Sequence, residues 1–300
     1  MSGWWLMAAL LAAVYVVAVV EEWATSGRVR LAGPLWAGLA LLGRESLVPR
    51  QPDRLFFETA PLLLLVAALL SAAVLPLAPD LVGTDLATGA LFLNAAFAYV
   101  MVALVMAGWG PNAAYALVAG WRFLGQLVAY SMLIVMPITA VAMRAQSLAT
   151  TAVVASQAPL WNAITQPLGF VLFWLAAMAL AFLPPFDLPT APGELAGGVF
   201  GEFTGVRLAI LRLARLVLVV SLAAAVAVFF LGGWLGPFLP PWAWTMLKTL
   251  AVALAMLLLG RSVPRISADA LLAWAWKLGI PLALANILWV GITLLLAKRS

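Results

Sequence analysis

The chain has 300 residues, of which 66% are hydrophobic and only 9% charged, with a formal net charge of +5. A soluble domain averages about 25% charged residues, whereas a membrane crossing needs about 20 consecutive apolar ones. The composition therefore predicts an all-α polytopic membrane protein. Alternating segments of about ten residues, typical of a membrane β-barrel, are absent from the sequence.

The chain contains neither cysteine nor histidine. Haem, iron–sulfur clusters and zinc are held mainly by these two residue types, so we expect no metal, no cofactor and no catalytic centre on this chain. A phosphate-binding P-loop and a GxGxxG motif are also absent. The basic residues do not cluster with aromatic ones on a soluble face, so we expect no nucleic-acid binding.

We predict one membrane domain, residues 1–300, that crosses the bilayer about eight times. The predicted spans are 4–25, 59–78, 87–108, 113–142, 166–183, 207–231, 242–260 and 270–297. The fourth span is long and is either tilted or broken near Pro137. Residues 1–20 have no basic start and no small-residue cleavage site, so the first span is expected to be retained and not cleaved as a signal.

The basic residues predict the orientation of these spans. Ten arginines fall on the side opposite the N-terminus: Arg28, Arg30, Arg44, Arg50, Arg54, Arg207, Arg212, Arg215, Arg261 and Arg265. The other side has only Arg144, Lys298 and Arg299. Because cytoplasmic loops carry the excess of Lys and Arg, we expect both termini outside and a multi-pass protein of the cell inner (plasma) membrane.

Residues 26–58, called the first loop, contain a ten-residue apolar stretch at 34–43. Ten residues are too few to span, so the stretch indicates an interfacial or a re-entrant segment, and we predict an interfacial amphipathic helix. Arg28 and Arg30 precede it, and Arg50 and Asp53 follow it. The first loop is either a simple connector or the floor of a site for an amphiphile such as a quinone.

Residues 184–206, called the second loop, carry Asp187, Glu194 and Glu202 within a run that is rich in glycine and proline. Irregular backbone is tolerated near a membrane only where protein or a water-filled cavity surrounds it. Phe186 and Phe203 supply apolar anchors that a solvated linker does not need. The alternatives are a packed loop that docks a partner and a floppy linker, and these anchors favour the packed loop.

Several motifs together resemble one family. PFDLP at 185–189 and GEFTGVR at 201–207 are similar to the signature loop of the H-type subunit of respiratory complex I, also called subunit 1. The runs 45–61, 108–130, 166–177 and 276–288 also resemble that family, in the same order along the chain. The likeness covers most of the chain and indicates a divergent member or a paralogue. Membrane subunits of group 4 hydrogenases are related, but their loop usually departs from PFDLP.

The resemblance implies a subunit at the junction of the membrane arm and the soluble redox arm of a quinone oxidoreductase. It implies a quinone substrate, iron–sulfur clusters in partner subunits, other membrane-arm subunits as neighbours, and coupling to proton or ion translocation. The residues it implies at the quinone chamber or at docking loops are Arg28, Arg30, Arg50, Asp53, Phe186, Asp187, Glu194, Glu202, Phe203 and Arg207.

The chain departs from the family at buried acids. Positions that carry Glu in the family are here Leu180, Ser131 and Arg215. Buried ionisable groups in membranes usually serve ion or proton passage, so these losses predict weak or rerouted proton conduction. Arg215 either snorkels to the inside or blocks a former path. The remaining candidates for a proton path are Glu21, Glu22, Glu58 and Arg122.

Two alternatives remain open at this stage. One is a membrane anchor of a group 4 hydrogenase or of a formate hydrogenlyase-like complex. The other is a stand-alone carrier or channel, which is the weakest because the spans hold few polar groups to line a path.

Overall fold

The computed structural model describes residues 2–297 of the chain, so Lys298 and Arg299 of the predicted orientation lie outside the described residues. Within this range the chain is helical, and it forms no strand beyond an isolated bridge between Ala78 and Leu81. The helices are α1 Ser2–Ser26, α2 Gly33–Leu42, α3 Arg54–Ala73, α4 Gly89–Trp109, α5 Ala114–Ala145, α6 Thr150–Ala155, α7 Asn162–Thr165, α8 Pro167–Leu180, α9 Pro192–Leu195, α10 Gly205–Phe230, α11 Pro241–Ser262, α12 Ala268–Trp274 and α13 Ile280–Ala297. A π-helical turn, Ala275–Gly279, joins α12 to α13.

Among the described residues, seven helical segments are long and apolar enough to cross a membrane. They are α1, α3, α4, α5, α10, α11 and the continuous segment Ala268–Ala297. This confirms an all-α polytopic membrane protein. The predicted span at 166–183 corresponds to α8, whose 14 residues extend about 21 Å, less than the hydrocarbon thickness of about 30 Å. The break considered at Pro137 is not found, because α5 runs through it for 32 residues.

Helix α10 occupies the centre of the bundle, where it packs against α3, α11, α1, α2 and α8. Nearly every residue from Val217 to Phe230 is buried, because this part of α10 is apolar on all sides. The buried hydroxyls of Ser71 and Ser221 form a hydrogen bond of 2.7 Å between α3 and α10. The Ser71 hydroxyl also donates a hydrogen bond to the Ala68 carbonyl at 2.8 Å, so both buried hydroxyls have partners within the apolar interior.

A buried lysine organises the connection between α10 and α11. The Lys248 ammonium donates hydrogen bonds to the backbone carbonyls of Leu231, Gly233 and Leu235, at 2.7, 2.9 and 2.7 Å. It also lies 4.4 Å from the centre of the Trp161 ring. An ammonium has three donors, so the carbonyls satisfy all of them, and the indole face adds a cation–π contact.

Helix α2 is the short helix predicted in the first loop. It has the expected length, but its ten residues, GPLWAGLALL, include no polar side chain. It is therefore apolar on every face, and not amphipathic as predicted. Only Leu41 is buried, and α2 packs on α10 and α1.

Candidate functional site

The second loop is packed against the bundle. Phe186, Val199 and Phe203 are buried, and the Gln126 amide of α5 donates hydrogen bonds to the backbone carbonyls of Phe186 and Ala179, at 2.9 and 3.1 Å. Because α5 satisfies these carbonyls, the irregular backbone avoids the cost of unpaired polar groups. The loop is thus not a floppy linker.

Two ion pairs hold two of the three acidic residues of the second loop. Arg122 of α5 contacts Glu194 at 2.6 Å, and Arg265, which follows α11, contacts Asp187 at 2.9 Å. The Glu194 side chain is 64% exposed, whereas that of Asp187 is only 8% exposed. The second oxygen of Asp187, Oδ1, is buried and has no hydrogen-bond partner within residues 2–297. The protein therefore shields the Asp187 carboxylate from solvent, whereas the side chain of its partner Arg265 is 47% exposed.

The two loops are joined at the start of α10. The rings of Phe57 and Phe203 stack with centres 4.6 Å apart, and Arg207 donates two hydrogen bonds to the Glu58 carboxylate, at 2.9 and 2.6 Å. Gly205 has φ +59°, and a Cβ there would lie 2.8 Å from a backbone oxygen of the first loop. Only glycine adopts this positive φ and allows this close approach of the first loop without strain.

A polar cavity of about 480 Å³ opens between α1, α10, the end of α11 and the second loop. Its charged lining consists of Glu21, Asp187, Arg212, Arg215, Arg261 and Arg265. Small-molecule sites commonly measure about 300–1,000 Å³, so this volume suits a ligand. Four arginines against two carboxylates give the lining a formal charge of +2.

A second cavity of about 640 Å³ adjoins the first and shares five lining residues with it: Glu21, Thr25, Phe200, Arg212 and Arg215. Helix α2 covers part of it through Pro34, Ala37, Gly38 and Leu41. Leu213 and Leu216 add further apolar surface. Charged and apolar side chains therefore line both cavities, and the apolar ones of the second cavity come from α2 and α10.

Arg215 and Glu21 form an ion pair at the boundary of the two cavities. The contact is 2.7 Å, and the side chains are 23% and 28% exposed. Arg215 lies ten residues into α10, about 15 Å along the axis, where it also donates to the Ala181 carbonyl at 3.4 Å. Arg215 is thus held by an acid of α1 and does not extend freely to the surface.

Glu22 lines the second cavity and makes no ion pair among residues 2–297. Its carboxylate lies against the backbone of Gly33, where a Cβ would come within 2.1 Å of the Oε2 atom. The other three candidates for a proton path, Glu21, Glu58 and Arg122, are all paired.

The remaining predicted site residues lie away from the cavities. Arg28, Arg30, Arg50 and Asp53 are exposed on the first loop and do not line either cavity. The Asp53 carboxylate accepts a hydrogen bond from the Phe56 amide, at 3.5 Å, at the start of α3. The half-buried Glu202 also lies outside both linings, so of the predicted chamber residues only Asp187 faces a cavity.

At the positions where the family has acids, the side chains are now apolar, neutral or cationic. Leu180 is fully buried at the end of α8, and Ser131 is half-buried in α5. Among the described residues, no three Asp or Glu side chains come close enough to hold a metal ion.

Three cavity residues were missed as site candidates from the sequence: Arg212, Arg261 and Arg265. One signal was available, because Arg212 and Arg215 are three residues apart and so share a face of α10. Arg261 and Arg265 gave no such signal, since they straddle the end of α11 and only the fold brings them to the same cavity.

Comparison with known proteins agrees with this architecture. The family model described as NADH dehydrogenase matches residues 5–291. The chain belongs to the NADH dehydrogenase family. It is 35% identical, over 264 residues, to the H-type subunit of the NADH-quinone oxidoreductase of Syntrophotalea carbinolica. This alignment covers 85% of the chain and 80% of that relative. The residues 5–291 that the family model matches include both loops.

Proposed function

We propose that the chain is the H-type membrane subunit of a complex I-like assembly that passes electrons from NADH, or another donor, to a quinone. The chain anchors the soluble redox arm and encloses part of the quinone chamber. It carries no redox centre, and iron–sulfur clusters belong to its partners. Family membership over most of the chain supports this proposal, together with the two joined loops that offer a packed docking surface.

The two adjoining cavities support the quinone part of the proposal. A quinone is an amphiphile, with a polar head and an apolar tail, and it must enter from lipid. The apolar α2 covers part of the second cavity, and Asp187 with Arg265 lies at the first. We therefore propose that the quinone head lies toward the second loop and the quinone tail beneath α2.

Coupling to proton movement is proposed to be weak or rerouted in this chain. Leu180 cannot carry a proton, and Arg215 places a fixed positive charge where a proton path would need an acid. Glu22 remains as the carboxylate that faces a cavity without an ion pair, so the rerouted path is assigned to it.

Proteoliposomes with the purified assembly test this coupling. The expected proton-to-electron ratio is lower than that of ordinary complex I, and Glu22→Gln lowers it further while quinone reduction continues. Glu45→Gln is the matched control, since it removes one carboxylate from an exposed position outside both cavities. The rerouted path is contradicted if the unmodified assembly has the proton-to-electron ratio of ordinary complex I and Glu22→Gln leaves that ratio unchanged.

The identity of the assembly is tested by affinity purification of the tagged chain in mild detergent, followed by mass spectrometry. Recovery of iron–sulfur and antiporter-like subunits is expected, and the largest soluble partner identifies the electron donor. Recovery of a nickel hydrogenase large subunit would instead assign the chain to the hydrogenase branch. Recovery of the chain alone, where ordinary complex I stays intact, would contradict the assembly and favour a carrier.

The proposed location is the inner membrane, with both termini outside. Because the chain has no cysteine, single cysteines can be introduced without a background. A cysteine at Ser2 should react with an impermeant maleimide in intact cells, whereas one at Ser46 should react only after lysis. The opposite pattern would invert the orientation.

A further inference from the structure

Lys277 lies on the outward face of the last membrane segment, Ala268–Ala297. The buried residues of this segment form one stripe that packs on α5 and α8: Leu271, Ala275, Gly279, Ala283, Asn286 and Val290. Lys277 is two residues, about half a helical turn, from both Ala275 and Gly279. Its exposed side chain therefore points away from the helices of its own chain.

Lys277 also lies well inside the segment that crosses the membrane. It is nine residues beyond Ala268, about 14 Å along the axis, and the segment continues to Ala297. Charged side chains that extend to the headgroups generally lie near the end of a span, whereas Lys277 is more than two turns from it. A charge at this depth is costly unless an opposite charge faces it.

The described part of the chain supplies no such opposite charge. Within residues 2–297 the Lys277 side chain makes neither a hydrogen bond nor an ion pair. The acid of the same segment, Asp269, is eight residues away, about 12 Å along the axis. The backbone is also irregular at this point, because Lys277 belongs to the π-helical turn Ala275–Gly279, and such turns are frequent at functional sites.

We propose that the outward face of Ala268–Ala297 contacts a transmembrane helix of another membrane subunit, which places an Asp or Glu carboxylate against Lys277. The segment, like α1, is largely exposed, whereas α10 is largely buried. Leu284, Leu288 and Ile292 lie on the same side as Lys277 and are exposed, so they offer an apolar surface to that helix. Lipid phosphates lie outside the hydrocarbon core, so the depth of the ammonium favours a protein carboxylate over a lipid.

This inference rests on the proposed assembly, because another membrane subunit must be present. The purified assembly is treated with a membrane-permeant carbodiimide, which joins an amine to a carboxylate in contact with it, and the cross-linked peptides are identified by mass spectrometry. Lys277 is expected to be joined to an Asp or Glu in a membrane-spanning peptide of another subunit. Lys248 is the internal control and should form no such link, because its ammonium donates to three backbone carbonyls.

Variants at Lys277 separate the charge from the amine. Lys277→Arg keeps the charge, so the assembly should stay whole while the cross-link disappears. Lys277→Glu sets two carboxylates against each other and should lower the recovery of the contacting subunit about tenfold. The isolated variants should melt like the unmodified chain, because the Lys277 side chain has no partner within it, and this excludes misfolding as the cause of a lost subunit.

The outcomes distinguish this contact from the assembly itself. Recovery of the unmodified chain alone would refute the proposed function, and the contact with it. In an assembly recovered whole, the contact alone is overturned if Lys277 forms no cross-link to another subunit or if Lys277→Glu retains every subunit. Labelling of Lys277 in the intact assembly by a water-soluble amine reagent would also overturn it, because the ammonium would then lie among headgroups and water.

Discussion

The ion pair between Glu21 and Arg215 offers a sharp test of how α1 is held to α10. Two unit charges about 4 Å apart interact by about 4 kcal/mol at an effective dielectric constant of about 20. The side chains are 23% and 28% exposed, so solvent and the entropy of two ordered side chains reduce this value. We expect a coupling free energy of about 1–2 kcal/mol.

The assay is a double-mutant cycle, with Glu21→Gln, Arg215→Gln and the double variant, followed by unfolding of the purified protein in detergent. Each single variant should lose more stability than the double variant, because it leaves one charge facing the cavity without its partner. Arg212→Gln, on the same helix face and without an ion pair, should change stability by less than about 0.5 kcal/mol.

A reversed pair, Glu21→Arg with Arg215→Glu, should recover part of the lost stability, since the charges still meet across the two helices. A coupling free energy near zero would refute the reasoning, because the contact would then contribute nothing to the packing of α1. The same result would weaken the view that Arg215 occupies the position of a former proton path.

Three further predictions concern stability, each measured by melting of the purified protein. Lys248→Met leaves three backbone carbonyls without donors and should lower the free energy of unfolding by about 3 kcal/mol. Lys277→Met, at an exposed lysine, is the control and should lower it by less than about 0.5 kcal/mol. Equal losses in the two variants would contradict a stabilising role of the three Lys248 hydrogen bonds. Gly205→Ala should lower the free energy of unfolding by about 2 kcal/mol, because the residue has a positive φ and the first loop crowds its Cβ position. An unchanged melting temperature would show that the two loops are not tightly joined. Arg122→Gln should lower the free energy of unfolding by less than about 1 kcal/mol, because its partner Glu194 is 64% exposed to solvent. A larger loss would mean that solvent screens this ion pair less than its exposure indicates.

The candidate site was only partly predictable. The acids of the second loop could be selected from the sequence, because charges are rare in this chain, and Asp187 does line a cavity. The partners of Arg122 and Arg215 could not, since Glu194 is 72 and Glu21 is 194 residues away along the chain. Such pairs depend on helix packing, which local periodicity does not specify.

The exposed arginines of the first loop show what the family resemblance does not specify. The resemblance implies Arg28, Arg30 and Arg50 at the quinone chamber or at docking loops. In the folded chain they lie outside the cavities, while Arg212, Arg261 and Arg265 line one of them. Charge alone indicates that a residue lies outside the lipid core, but not which surface it faces.

The sequence by itself determined the class of the protein, its long helices and its family. Runs of about 20 apolar residues leave the backbone no alternative to a helix in lipid, and this constraint is local. Tertiary structure alone decided the pairing of Arg215 with Glu21, the shortness of α8, the unbroken course of α5 and the charge of the cavity. These features arise where side chains from distant segments meet, and their energies depend on distances of a few ångströms that only the packed helices define.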